Sequence, residues 1–75
     1  MYTIRDFKAL AREVTWHSVN LVKAYDFEGH RITAWGANDG YVTIYVDGEP
    51  ICTRALRRNI IKLALKHINK AQPEA

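Results

Sequence analysis

With Cys52 as the only cysteine in 75 residues, no internal disulfide can brace this chain. A domain of this size buries only ~60% of the surface its unfolded form exposes, and small domains lean on disulfides, metals or a partner. A structural metal is not expected, because His17, His30 and His67 lie far apart and no two ligands share a turn or hairpin. Gly29, Gly36, Gly40 and Gly48 fall singly, which excludes a glycine-rich phosphate loop. No apolar run reaches the length of a membrane span. The start, Met1 to Asp6, lacks the basic-then-apolar order of a secretory signal. One cysteine and no signal fit a reducing cytoplasm, and no membrane partner is expected.

Catalytic machinery is also missing. Cys52 and a distant histidine carry no local nucleophile signature, and no acid, base and nucleophile stand together. The chain therefore reads as a non-enzyme without cofactor or small-molecule substrate. No linker, repeat or low-complexity tract divides it, so residues 1–75 form a single domain with a frayed tail at 72–75.

Acidic residues are absent where basic ones gather. The net charge of +3 comes from eleven Lys and Arg against eight Asp and Glu. Residues 54 to 70 hold Arg54, Arg57, Arg58, Lys62, Lys66 and Lys70 with no acid among them, whereas Asp26, Glu28, Asp39, Asp47 and Glu49 mark the hairpins.

Turn signals supply most of the architecture. Asn38-Asp39-Gly40 and Asp47-Gly48 bracket Tyr41 to Val46, a strictly alternating run with aliphatics at 42, 44 and 46. Thr3 reads as a helix N-cap with Asp6 in the first turn, and Ile4, Phe7, Leu10, Ala11 and Val14 predict a helix from about Thr3 to Val14. Val19 to Tyr25 predicts a strand ending near Gly29, and Arg31 to Ala37 the next. Glu49 to Thr53 forms a short edge strand marked by Pro50. A final helix has Leu56, Ile60, Leu63, Ala64, His67 and Ala71 on one side, with Arg54, Arg58, Lys62, Lys66 and Lys70 opposite. The expected class is α+β: helix, antiparallel three- to four-stranded meander, helix, both helices on one sheet face.

The turns also set register. A three-residue loop at 38–40 pairs Ala37 with Tyr41, Ala34 with Ile44, Ile32 with Val46, Trp35 with Thr43 and Thr33 with Tyr45. The Asp47-Gly48 turn sets Ile51 against Ile44 and Cys52 against Thr43. For the first hairpin, a loop longer than Glu28-Gly29 keeps Lys23 out of the core and places Val22 and Ala24 on the covered face. Gly36 marks a bulge or close approach at the strand end.

Nothing remains to cover the second face, which displays Arg31, Thr33, Trp35, Tyr41, Thr43 and Tyr45. Strand propensity explains each residue singly, but not a Trp beside two Tyr with so few charges. This face is the candidate site for a protein partner or for homodimerisation, in a small regulatory or accessory role. The alternative is nucleic acid, held by Arg54, Arg57, Arg58, Lys62, Lys66 and Lys70 through its phosphates.

The order helix, three strands, basic helix is similar to that of the double-stranded RNA-binding domain over the whole chain. That family has a run of lysines opening its last helix, to which Arg54, Arg57 and Arg58 are a loose counterpart. The resemblance implies that this helix contacts RNA phosphates. The strand at Glu49 to Thr53 departs from the family's pattern, and Gly29-His30 is all that stands near its histidine-bearing loop.

Overall fold

A computed structural model describes residues 1–36 and 39–71. The predicted pairing of Ala37 with Tyr41 and the predicted frayed tail at 72–75 lie outside the described residues. The domain is small and α+β, with two helices and a five-stranded antiparallel sheet. Helix α1 (Ile4–Leu10) is followed by β1 (Arg12–Glu13), β2 (Leu21–Phe27), β3 (His30–Gly36), β4 (Tyr41–Val46) and β5 (Glu49–Leu56). A 3-10 turn (Arg57–Asn59) leads into α2 (Ile60–Ala71). The strands lie side by side in chain order.

The central hairpin follows the alternation of its sequence. Ile32 faces Val46, Thr33 faces Tyr45, Ala34 faces Ile44 and Trp35 faces Thr43, as the turn signals predict. Ile32, Ala34, Val42, Ile44 and Val46 join one buried cluster with Phe7 of α1, Phe27 of β2, Ala55 of β5, and Ile60, Ala64, Leu65 and Ile68 of α2. The pleat drives this arrangement: consecutive side chains alternate faces, so burying 42, 44 and 46 turns 43 and 45 the other way.

Both ends of the sheet depart from expectation. The first helix stops at Leu10 rather than Val14, and Ala11 is already extended. Its start is as read: Thr3 Oγ1 accepts the Asp6 amide at 3.1 Å and Asp6 Oδ2 accepts the Thr3 amide at 2.8 Å, a capping box. Only Phe7 of this helix is buried. A seven-residue helix has little stability of its own, so the next residues pair instead with β2. Arg12 faces Asp26, Glu13 faces Tyr25, and the Val14 amide donates to the Ala24 carbonyl at 2.8 Å. Lys23 reaches Glu13 at 3.4 Å across this edge. The sheet therefore has five strands, not three to four.

The first hairpin closes through the two-residue turn Glu28–Gly29, with φ of 49° and 80°, and Phe27 faces His30. The longer loop expected from Lys23 is not formed. The short turn sends Tyr25 and Phe27 to the core side, where Phe7 packs 5.0 Å from Tyr25 and 5.1 Å from Phe27 between ring centroids. Burying a whole phenylalanine ring outweighs the placement of one lysine, whose stem carries its ammonium out to the edge. A bulge between Leu21 and Lys23 then restores the phase, so Val22 packs against the core.

Strand β5 is longer than predicted and twice irregular. Cys52, not Ile51, faces Ile44, and Ala55 faces Val42. Arg54 therefore belongs to a strand and not to the last helix. The core stripe of α2 is Ile60, Ala64, Leu65 and Ile68; Leu63 and His67 are half-buried and Ala71 is exposed.

Two local contacts tie the layers together. The Asn69 side chain accepts the Tyr2 amide at 2.7 Å and donates to the Tyr2 carbonyl at 2.8 Å, clasping the start of the chain to α2. Gly36 lies so near β2 that a Cβ there would sit 2.8 Å from Val22 Cγ2, the close approach expected for this glycine. Gly36→Ala should therefore destabilise the fold by about 1–3 kcal/mol through overpacking. Adding Val22→Ala should recover part of that loss. Urea unfolding of the two single variants and the double variant checks it, and additive effects would show that the two side chains do not meet.

Candidate functional site: an aromatic cleft on the outer sheet face

Thr33, Trp35, Thr43 and Tyr45 stand on the sheet face turned from the buried cluster, in two facing pairs. The sequence predicts that no element covers this face, and the structure corrects that. The segment 14–20 crosses beside it, and Trp16 sets its ring edge-to-face on Trp35 at 5.8 Å and 83°. The Arg31 guanidinium lies 5.9 Å from the Trp16 ring centre. Helix α1 ends early, so this stretch is free to leave the edge of β2 and fold back over the sheet. Its return is fixed where the Asn20 carbonyl accepts the Gly36 amide at 2.7 Å.

Trp16, Arg31, Thr33, Trp35, Thr43 and Tyr45 thereby line a cleft of about 680 Å³ that is open to solvent. Trp16 remains 45% exposed and Val19, at the rim, 83%. Three polar side chains of the wall are engaged within the protein. Trp35 Nε1 donates to the buried Thr33 hydroxyl at 2.9 Å, and Thr43 Oγ1 donates to the Thr53 carbonyl at 3.0 Å. Arg31 holds the Asp26 carboxylate through Nε and, at 3.3 Å, through Nη2. The Arg31 hydrogen bond is the main cause that keeps the Asp26 carboxyl below its ordinary value. What the cleft offers outward is aromatic surface held in fixed orientation.

Five of the six residues expected on this face thus share one cleft. Tyr41 does not. It lies beyond Trp35 in a smaller hollow with Asp39, Thr53 and Arg54. The Arg54 guanidinium sits 3.9 Å over the Tyr41 ring and 3.0 Å from Asp39. Trp16 and Val19 were not among the expected residues. The signal for Trp16 was present, since a tryptophan outside every apolar periodicity needs a surface to cover.

The cationic set divides. Arg54 is engaged on β5, Arg57 and Arg58 lie in the 3-10 turn, and Lys62, Lys66 and Lys70 lie on α2; all six are exposed. Among the described residues, no three His, Cys, Asp or Glu gather where a metal ion would fit. No helix there is long and apolar enough to cross a membrane. Cys52 is a half-buried free thiol.

His30 and Asp47 form the other polar contact of note. His30 Nδ1 lies 2.7 Å from Asp47 Oδ2, while Asp47 Oδ1 accepts the Arg31 amide at 2.9 Å. Burial alone would raise the Asp47 carboxyl, but the Arg31 amide and the His30 ring together outweigh it and hold it below the ordinary value. Such a carboxyl stabilises the fold fully above its unfolded pKa and loses that contribution as pH falls through the depressed one. Asp47→Asn keeps a residue suited to the positive φ of 55°. It should lower the melting temperature by a few degrees at about pH 7, and the gap to wild type should be narrower at about pH 3. Thermal melts at both values check this; a gap independent of pH would mean that the charge is not what Asp47 contributes.

Compared with known proteins, the chain matches no family model, no curated protein and no solved structure.

Proposed function

We propose that this chain is a small non-enzymatic binding module that takes an extended segment of a partner protein in the Trp16–Trp35–Tyr45 cleft. In this reading both helices serve one side of a helix–meander–helix layer, and the other side is left for the partner. The observation that carries it is the edge-to-face pair of Trp16 and Trp35, with Trp16 half-open to solvent, in a cleft whose other wall holds Tyr45.

Clustered Trp and Tyr with an Arg at the margin are the composition of protein-interface hot spots. Small-molecule sites enclose most of the ligand in a pocket; this cleft is open to solvent along the sheet face. The sheet edges support the face rather than strand addition. Strand β1 has only two residues and β5 is bulged twice, both of which obstruct regular pairing with another strand. A second copy of the chain would meet the same cleft, and sedimentation of the purified protein separates that case from a foreign partner.

Peptides selected from a displayed library on the immobilised protein provide the test. They should shift the tryptophan fluorescence, and Trp16→Ala, which alters only a half-exposed side chain, should keep the fold while weakening them by about 2 kcal/mol, roughly thirtyfold. Trp35→Ala with Tyr45→Ala should abolish their binding. Peptides that bind all variants equally would remove the cleft from consideration.

A further inference from the structure

Residues that face one another on antiparallel strands project from the same side of a sheet. Arg12 of β1 faces Asp26 of β2, and Asp26 faces Arg31 of β3, so the three side chains form a cross-strand triad. Alternation along β3 puts Arg31 on the side of Thr33 and Trp35, with which it lines the cleft. The triad therefore extends the cleft wall towards the β1 edge.

Within the triad two cations share one anion. Arg31 holds the Asp26 carboxylate through Nε and, at 3.3 Å, through Nη2. Arg12 Nη2 stands off at 3.9 Å, on a side chain that is 82% exposed. A guanidinium has more N–H donors than one such contact uses, so both arginines keep donors for a second anion. Asp47 does not supply it, because its carboxylate is engaged by the His30 ring and the Arg31 amide. A surplus positive charge is thus left at this end of the face, where the Arg31 guanidinium also lies 5.9 Å from the Trp16 ring centre.

We infer, on the basis of the cleft as the binding site, that the partner segment is acidic. One of its carboxylates closes on Arg12 and Arg31 while an apolar side chain lies against Trp16, Trp35 and Tyr45. The charge falls on one side of that anchor only, because at the other end Arg54 and Asp39 form a matched pair 3.0 Å apart. Arg31 precedes Thr33 by two residues and Thr33 faces Tyr45, so carboxylate and anchor are ~7 Å apart, about two residues of an extended segment. Charge also distinguishes this occupant from a single-stranded nucleic acid. Such a strand needs a cationic groove that follows successive phosphates, whereas Arg31 is the one charged residue among the described residues lining the cleft.

Peptides selected from a displayed library on the immobilised protein should carry Asp or Glu about two or three residues from an apolar anchor, on one side of it. Exchanging that acid for Asn or Gln should weaken binding to the wild-type protein about fivefold. Arg12→Gln leaves the Arg31–Asp26 pair in place and should shrink this difference. Selection repeated on Arg12→Glu should lose the acidic enrichment, and circular dichroism should show both variants folded. Peptides without acidic enrichment, or an exchange that costs as much on Arg12→Gln as on wild type, would overturn the inference. If those peptides still lose affinity for Trp16→Ala, the cleft itself stands; peptides that bind Trp16→Ala undiminished would overturn both. Single-stranded oligonucleotides that displace the peptides at about 150 mM salt would also overturn it.

Discussion

A strand has two faces, and in β4 they are made of different chemistry. Val42, Ile44 and Val46 are buried to within a few per cent, and the pleat leaves Thr43 and Tyr45 no direction but the opposite one. Every later feature answers that constraint. The helices supply apolar surface for one side: Phe7 from the first, and Ile60, Ala64, Leu65 and Ile68 from the second. Beside Thr43 and Tyr45 lies the crossing segment with Trp16. A domain with few elements thus finishes one face as a core and roofs part of the other, and the cleft is what the partial roof creates.

The central hairpin was legible because its information is local. Alternation and turn residues are both short-range, and together they fix which residues face one another across β3 and β4. The Thr3–Asp6 cap was legible for the same reason. What escaped was decided by packing at a distance. Nothing in Leu10 to Val14 announces that the helix will stop, because Arg12 and Glu13 become a strand only when β2 is beside them. Lys23 argues against the two-residue turn at Glu28–Gly29, yet that turn forms, with Phe27 buried. The irregularities of β5 moved Cys52 opposite Ile44 and carried Arg54 out of the helix and onto Tyr41.

The candidate site follows the same division. Arg31, Thr33, Trp35, Thr43 and Tyr45 could be assigned to one face from alternation alone. Trp16 could not, because its position depends on where a structureless stretch returns to the sheet. The lysines of α2 were visible as a spacing of four. That none of them pairs with a carboxylate among the described residues depends on where the acids lie in space, namely around Asp26, Asp39 and Asp47 and their partners.

The clasp between Tyr2 and Asn69 joins positions separated by 67 residues. Closing so long a loop carries an entropic cost that local hairpins do not meet, which makes this contact among the last the chain can form. It also removes the freedom of α2 to fray on its own. Its last turn is held by the first residues of the chain, and those residues are held against Phe27 by the Tyr2 ring. The clasp thereby couples the two ends of the chain, so that opening the last turn of α2 also exposes the cluster around Phe27.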